Sequence, residues 1–576
     1  AAMATAWRRA ALAATALAAL LGGADAQAAR SERAFAAVIR DPTTGEFTVQ
    51  EGPGPAHAVA WAAFEDSLNR TGWGVLDIET NDEFEDADQG YAAGMLEGYL
   101  TAPHIYKTAR NLAQAIFKKF HMPHPVKEFM DKQEEWARTQ IDNNPNDPFW
   151  RQVGYLMRQY DGLVDGYVMR TPYVPFLGSW AFAMLNGVGD LFDIMPAVQE
   201  SARNDYHALN SSAAEFLHAT QGHCSALIKV LGDFSDIFVA HSSWYTFSNT
   251  DRIMKHYRLN FRDESTAARK VSFSSYPGFL ESLDDFYMLG SGLVWTQTSN
   301  AVIDHSVYAE VKPEALLAWQ RVRVASAMAH SGEEWFNTFK RHFSGTYANQ
   351  YMVVDFKRFT PGQPLADGTL WVAEEMPGLV VGKDQTAVLR LGYWPSYNMP
   401  FYPEVYEKAG YPAMAAEKGT FWTYSLNPRG KIFRRDQGKV TDLASLKALM
   451  RSNDFEHDPY SFDGTAQNAM YAICSRGDLS AQHQALGCYD TKVTSYAAGG
   501  MQQRAEIVNG PTSTSSGGEL PPFKWAGAFD TQASHLGLPS EYAFDFIQTA
   551  PRPVRAQAPE VGDRGVVQLR GADSLE

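Results

Sequence analysis

The sequence predicts an α+β protein in which antiparallel sheet layers are covered by helices. Three observations carry that reading. Helical periodicity runs from Tyr91 to Arg170. Short strand-like runs with Gly, Pro and Asp punctuation begin at Cys224. Helical and strand segments then alternate, the pattern of sheets covered by helices rather than of a solenoid. The 576 residues, 45% hydrophobic and 13% aromatic, suffice for a large core in one domain or several.

The elements follow in chain order. Arg8 and Arg9, the apolar run Ala10–Leu21 and the small residues Ala24–Ala26 read as a signal peptide over 1–26. The run is short for a bilayer span, and no later segment is long and apolar enough, so the expectation is no integral membrane segment in the mature chain. After a short polar stretch, "TGWGVLDIET" (71–80) reads as a strand. The acidic run "NDEFEDADQG" fails as a calcium loop. With Gly90 as the turn glycine, its ligand positions hold Glu85, Ala87 and Gln89, and its closing position holds Leu96. It fits a charged helix entry instead.

Helices follow over 91–120, with a Pro break, then over 125–144 and 150–170. The polar segment 202–221 reads as an exposed connection. "CSALIKVL" and "DIFVAHSSW" read as strands joined by a turn at Gly232–Asp233, followed by strands at "KVSFSSYP", "GLVWTQTS", "YMVVDFKRF" and "GLVVGKDQTAVLRLGYW". A helical block covers 312–343, and the Pro- and charge-rich end, 551–576, is expected to be disordered.

Charge and motifs exclude several functions. The net charge is −16, and no Lys/Arg cluster makes a phosphate-binding face, which argues against nucleic acid. An acidic surface also matches anionic membranes poorly, although a lipid held in a pocket is left open. There is no G-x-S-x-G, H-E-x-x-H, C-x-x-C or Walker loop. No cofactor and no metal are expected. The sequons at Asn69 and Asn210 mark candidate glycosylation sites.

Three cysteines remain. In an oxidising compartment Cys474 and Cys488, close in sequence, could pair. That leaves Cys224 odd: a buried inert thiol, a partner for another chain, or a functional group. By position alone the buried thiol is the simpler reading, because free cysteines are among the most buried residues. A thiol at the start of a strand has another use. If the bond after His223 is cut, the α-amine of Cys224 is freed, and its pKa of about 7.7–8.0 suits a base for the adjacent thiol.

The segment "QGHCSALIKV…DIFVAHSSWYTFSNTDRIMKHY" resembles the phospholipase B-like family, the lamina-ancestor group. So do "SLNRTGWGVLDIET", "SFSSYPGFLESLDDFYML", "FSGTYANQYMVVDFKRF", "MPGLVV", "GYWPSYNMP", "NPRGKIFRRDQ", "RSNDFEHDP" and "LPPFKW", in the family's order, from about Phe35 to Phe546.

The resemblance implies a four-layer αββα N-terminal-nucleophile hydrolase fold. It implies a precursor cleaved between His223 and Cys224, giving fragments 27–223 and 224–550 of one hydrolase domain. It implies removal of acyl chains from phospholipids or related amide or ester lipids, in the lysosomal lumen or after secretion. By position in the motifs, Cys224 is then the nucleophile, Asn398 an oxyanion donor, Arg429 a thiolate and acyl-group partner, and His241 and Thr298 site residues. Trp244 is pocket wall or core rather than chemistry. With no cysteine before Cys224, the fragments must associate non-covalently. A non-catalytic luminal lipid-binding or carrier protein retaining the fold is the alternative.

Overall fold

A computed structural model describes residues 33–221, 224–515 and 518–555. The expected signal peptide and His223 lie outside the described residues. The strands, in chain order, are β1 (Ala34–Arg40), β2 (Phe47–Glu51), β3 (Ala60–Glu65), β4 (Trp73–Thr80), β5 (Cys224–Val230), β6 (Ile237–Thr246), β7 (Arg252–Arg258), β8 (Lys270–Ser275) and β9 (Phe286–Leu289). They continue with β10 (Leu293–Ser299), β11 (Asn349–Asp355), β12 (Leu370–Met376), β13 (Leu379–Asp384), β14 (Tyr393–Ser396), β15 (Leu486–Cys488), β16 (Asp490–Ser495) and β17 (Ala505–Asn509).

One eleven-stranded sheet has the order β13-β12-β11-β10-β9-β8-β7-β4-β3-β1-β2. Its neighbours are antiparallel except β4 and β7, which run parallel from Trp73↔Arg252 to Glu79↔Arg258. The second sheet has the order β14-β5-β6-β16-β17 followed by Ile547–Thr549, with β15 also paired to β6. The larger sheet therefore draws strands from both sides of Cys224, whereas the described strands of the smaller sheet all follow it.

Strand alternation sorts side chains between layers. On β10, Val294 joins Met352 of β11 and Ile228 and Val239 of β5 and β6 in the core between the sheets. Trp295, one residue on, faces the other way and packs with Tyr351, Trp335 and Phe339 beneath the outer helices. Helices Asp86–Leu100, Ala318–Met328 and Gly332–Phe339 cover that outer face, and Pro428–Asp436 and Leu443–Met450 cover the smaller sheet. The molecule is thus α+β, with two largely antiparallel sheets between helix layers.

Helix Asp86–Leu100 crosses helix Pro148–Val168 with glycine against backbone. A Cβ at Gly94 would lie 1.9 Å from Gln159 O, and one at Gly162 would lie 2.0 Å from Tyr91 O, so only glycine permits this approach.

Three expectations need correction. The polar segment before Cys224 is not all exposed connection: Ser211–Gln221 is an α-helix. Asn210 caps it by accepting from Ala213 N at 2.9 Å, its alanines favour helix, and Ala214, His218 and Ala219 are buried. The short polar stretch after residue 26 holds three strands, β1 to β3, of which β1 and β3 were hidden by their alanine-rich pattern. The first residues of the expected disordered end are tied down: Arg552 bonds Asp77 and Glu65, and Val554 is buried. Residues 556–576 lie outside the described residues.

Candidate active site

Cys224 opens β5, a strand buried at all seven positions. It pairs with Ser243 of β6, and Ala226 pairs with His241. Residues two apart on a strand share a face, so His241 and Ser243 stand on the Cys224 side of the hairpin. Lys492 of β16 lies opposite His241 and extends that face. Cys224 is 1% exposed. Burial pushes its thiol well above the usual range. Lys492 opposes that rise, as does the backbone N–H of Trp244, which donates to the sulfur.

Arg429 reaches the same point from the opposite side. Pro428 starts its helix and the Asn427 side chain caps it, accepting from Arg429 N at 3.0 Å, which fixes Arg429 in the first turn. Its guanidinium donates to Cys224 O at 2.7 Å, to Ser225 Oγ at 3.3 Å and to Asn398 Oδ1 at 2.7 Å. It also lies 4.2 Å from the Trp244 ring centre. No salt bridge to Arg429 occurs among the described residues, and burial pulls it down to about 9.

Asn398 has φ 64°, a left-handed conformation that non-glycine residues hold at a cost and that asparagine tolerates best. One amide N–H goes to Ser299 O at 2.5 Å, leaving its second N–H. Thr298 stands behind it. Its hydroxyl bonds Ser396 Oγ at 2.7 Å and accepts from Asn398 N at 3.5 Å, so it braces the turn that carries Asn398.

His241 hydrogen-bonds Gln297 O through Nε2 at 2.9 Å, while Nδ1 has no partner among the described residues. Burial, reinforced by Lys492, pushes it well below the usual histidine range, so it is neutral. Its Nε2 carries the proton because a carbonyl can only accept.

Sequence reasoning missed the charged group behind Cys224. Asp284 accepts from Ser243 Oγ at 2.7 Å, from Arg252 at 2.9 Å and from Lys492. Asp490 pairs with Lys492 at 2.7 Å and with Arg252 at 3.0 Å. His241, Asp284 and Asp490 offer ligand atoms within 4.8 Å of one another, but Lys492 already supplies a cation to both carboxylates. The signal was present: a lysine and an aspartate alternating inside "DTKVTS", an otherwise strand-like run.

Two cavities flank helix Ser211–Gln221, and Thr220 lines both. One, of about 410 Å³, is bounded by Trp244, Thr246, Lys118 and Leu486. The other, of about 360 Å³, is bounded by Ser299, Tyr347, Phe192, Met195 and Lys118. Cys224 lines neither. His218 pins the helix down: its ring packs against Tyr411, Phe421 and Trp422, and Nε2 lies 3.2 Å from Tyr411 Oη.

Residues 60–549 match the sequence profile of phospholipase B. The chain belongs to the phospholipase B family. Phospholipase B-like 1 of Bos taurus is 45% identical over 499 residues, covering 85% of this chain and 88% of that one. Phospholipase B of Crotalus adamanteus is 43% identical over 502 residues, covering 85% and 88%. Phospholipase B-like protein B of Dictyostelium discoideum is 35% identical over 512 residues, covering 87% of each.

Cys474 and Cys488 are joined in a disulfide with Cα atoms 5.0 Å apart, packed beside Trp244. The bridge anchors β15 at the wall of the first cavity. The sequon residues Asn69 and Asn210 are both exposed.

Proposed function

We propose that this phospholipase B family member is a cysteine N-terminal-nucleophile hydrolase, activated by cleavage of its own chain between His223 and Cys224. It then removes acyl chains from phospholipids or related ester or amide lipids. The observation that carries the reading is the convergence on Cys224: Arg429 on its carbonyl, Asn398 on Arg429, and Trp244 N on its sulfur.

In the uncut chain the Cys224 nitrogen is an amide and the thiol is buried and hard to ionise. Cleavage begins when the sulfur attacks the His223 carbonyl carbon. An S–C bond forms, the C–N bond to Cys224 breaks, and the proton from sulfur passes to the departing nitrogen. Water then hydrolyses the thioester. The freed α-amine, with pKa about 7.7–8.0, becomes the base that takes the thiol proton during turnover.

The same sulfur attacks the acyl carbonyl of the lipid. The second N–H of Asn398 and the Arg429 guanidinium are the donors for the oxyanion. One such donor is worth about 3 kcal/mol in the barrier. Neutral His241 and the Lys492–Asp284–Asp490 group hold β5, β6 and β16 in place, and Lys492 biases Cys224 towards thiolate while the two carboxylates oppose it.

The two fragments stay together without a covalent bond. The β4–β7 ladder crosses between them, and so does the fully buried pair Lys255–Glu97 at 2.7 Å. Secretion or a lysosomal address and glycan attachment at Asn69 and Asn210 complete the proposal. Both fit the exposed sequons and the Cys474–Cys488 bridge.

Fatty-acid release from phosphatidylcholine and from an N-acyl amide by the purified cut protein, beside Cys224→Ala, tests the activity. Release that depends on Cys224 supports it. Lipid binding without release by either protein favours a carrier.

A further inference from the structure

The chain-wide charge of −16 hides a local reversal. Between Glu97 and Glu128 the sequence has no acidic residue, but it carries Lys107, Arg110, Lys118, Lys119 and Lys127. The fold places part of this segment against the two cavities beside helix Ser211–Gln221. Helix Ala102–Phe117 ends at Lys118, and the turn to helix His124–Asn143 exposes Lys118, Lys119, His121 and His124. Lys118 lines both cavities beside helix Ser211–Gln221. The nearest acids at the start of the next helix are already paired, Asp131 with Lys127 and Glu128 with Lys132.

A second feature adjoins the turn. The loop after helix Pro148–Val168 holds the exposed aromatics Tyr173, 78% exposed, and Phe176, 71% exposed, with Val168 and Met169 also open to solvent. Trp180, which follows that loop, packs edge-on against Phe120 of the basic turn at 5.3 Å. Arg110 lies over the same Phe120 ring at 4.2 Å. The basic turn and the segment that carries the protruding aromatics are thus joined through Phe120 and Trp180, and Lys118 of the turn lines both cavities.

We propose that this joined pair of segments docks on an anionic lipid bilayer surface, with Lys118 and Lys119 on the headgroup phosphates and Tyr173 and Phe176 in the interface. Lysines beside exposed aromatic side chains suit that boundary. The charge favours a bilayer over a neutral surface, and the protruding rings favour it over a soluble polyanion, which offers them nothing to enter. Docking would bring lipid to the cavities. It does not require Cys224 to turn over, so it stands or falls apart from the hydrolase reading.

The test is co-sedimentation of the full protein with phosphatidylcholine vesicles, with and without phosphatidylserine. The proteins are the parent, Lys118→Gln/Lys119→Gln and Tyr173→Ser/Phe176→Ser, with circular dichroism confirming the fold. The expected result is binding that needs phosphatidylserine and weakens with salt. The lysine pair should lose about thirtyfold, since each basic residue near a charged bilayer is worth about fivefold in affinity. The aromatic pair should lose about tenfold. Three results would each overturn the proposal. They are no vesicle binding by the parent, equal binding by all three proteins, and a self-association seen in sedimentation equilibrium that the lysine substitutions abolish.

Discussion

Arg429 donates a hydrogen bond to the main-chain carbonyl of Cys224 at 2.7 Å, across a gap of 205 residues. The same guanidinium holds Asn398 Oδ1, so one side chain aligns the Cys224 backbone and the proposed oxyanion donor. A planar fork makes both bonds at once, and a lysine cannot.

Arg429→Lys should therefore keep the charge and lose the alignment. The expected outcome is self-cleavage slowed by about a hundredfold or more, of the order seen when one oxyanion donor is lost. A time course of fragment appearance on denaturing gels measures it. A rate within a factor of a few of the parent would remove Arg429 from the mechanism.

Asp284→Asn should destabilise the protein more than it slows chemistry. The substitution leaves Lys492 and Arg252, both fully buried, short of a carboxylate. Breaking a buried pair this way costs about 3–5 kcal/mol. Although burial alone would raise it, Arg252 and Lys492 hold the Asp284 carboxyl well below its usual range. A carboxylate lowered in the folded state contributes stability above its unfolded value, near 3.9, and loses it as pH falls through the folded value. Thermal melts from pH 7 down to pH 3 should show the parent's acid loss reduced in Asp284→Asn.

His218 makes docking of helix Ser211–Gln221 sensitive to acid. Burial first, then the charge of Arg429, pulls it down to about 3. Folding thus favours the neutral ring. The stability it contributes is complete above the unfolded value near 6.5 and falls as pH drops from there towards 3. At pH 4.5 the loss is about 2 units, or about 2.7 kcal/mol. Limited proteolysis of the uncut Cys224→Ala chain should cut residues 211–221 faster at pH 4.5 than at pH 7.5, with the contrast reduced in His218→Phe. Equal rates at the two pH values would contradict this.

His104 behaves in the opposite sense and joins the two halves. It lies between Asp251 and Asp66, at 3.0 Å from each. Burial disfavours its charge, but the two carboxylates raise it to about 10. Its contribution is complete below about 6.5 and is lost as pH rises through about 10. His104→Gln should lower the melting temperature at pH 5 to 7 and lower it less at pH 10.

Reducing the Cys474–Cys488 bridge, which spans a sequence separation of 14, should cost about 3 kcal/mol on the loop-entropy estimate. It should also loosen Trp244 and β15 at the cavity wall. Tryptophan fluorescence in the presence and absence of reductant follows both effects.

Much of this was legible in the sequence. Helices with a 3.6-residue stripe, such as His124–Asn143, and strands rich in β-branched residues, such as β5 and β10, were evident from period alone. β1 and β3 were not, because "AFAAVIR" and "AWAAFE" are buried alanine runs with little strand preference. The helix before Cys224 was misread because polar composition suggests exposure, whereas its burial depends on a pocket formed by Tyr411, Phe421 and Trp422, some 190 residues or more away. Cys224, Asn398 and Arg429 came from family likeness. The Asp284–Lys492–Asp490 group could not be assembled from spacing, since the pairing of β6 with β16 brings Lys492 to His241 across a sequence separation of 251.

The central claim is that Cys224 becomes the first residue of its own chain. N-terminal sequencing and intact mass of the purified protein, beside Cys224→Ala, test it most directly. The account predicts two associated fragments, one beginning at Cys224, and a single uncut chain in the variant. A parent chain that stays whole at acidic and neutral pH, or fragments that persist in Cys224→Ala, would contradict it.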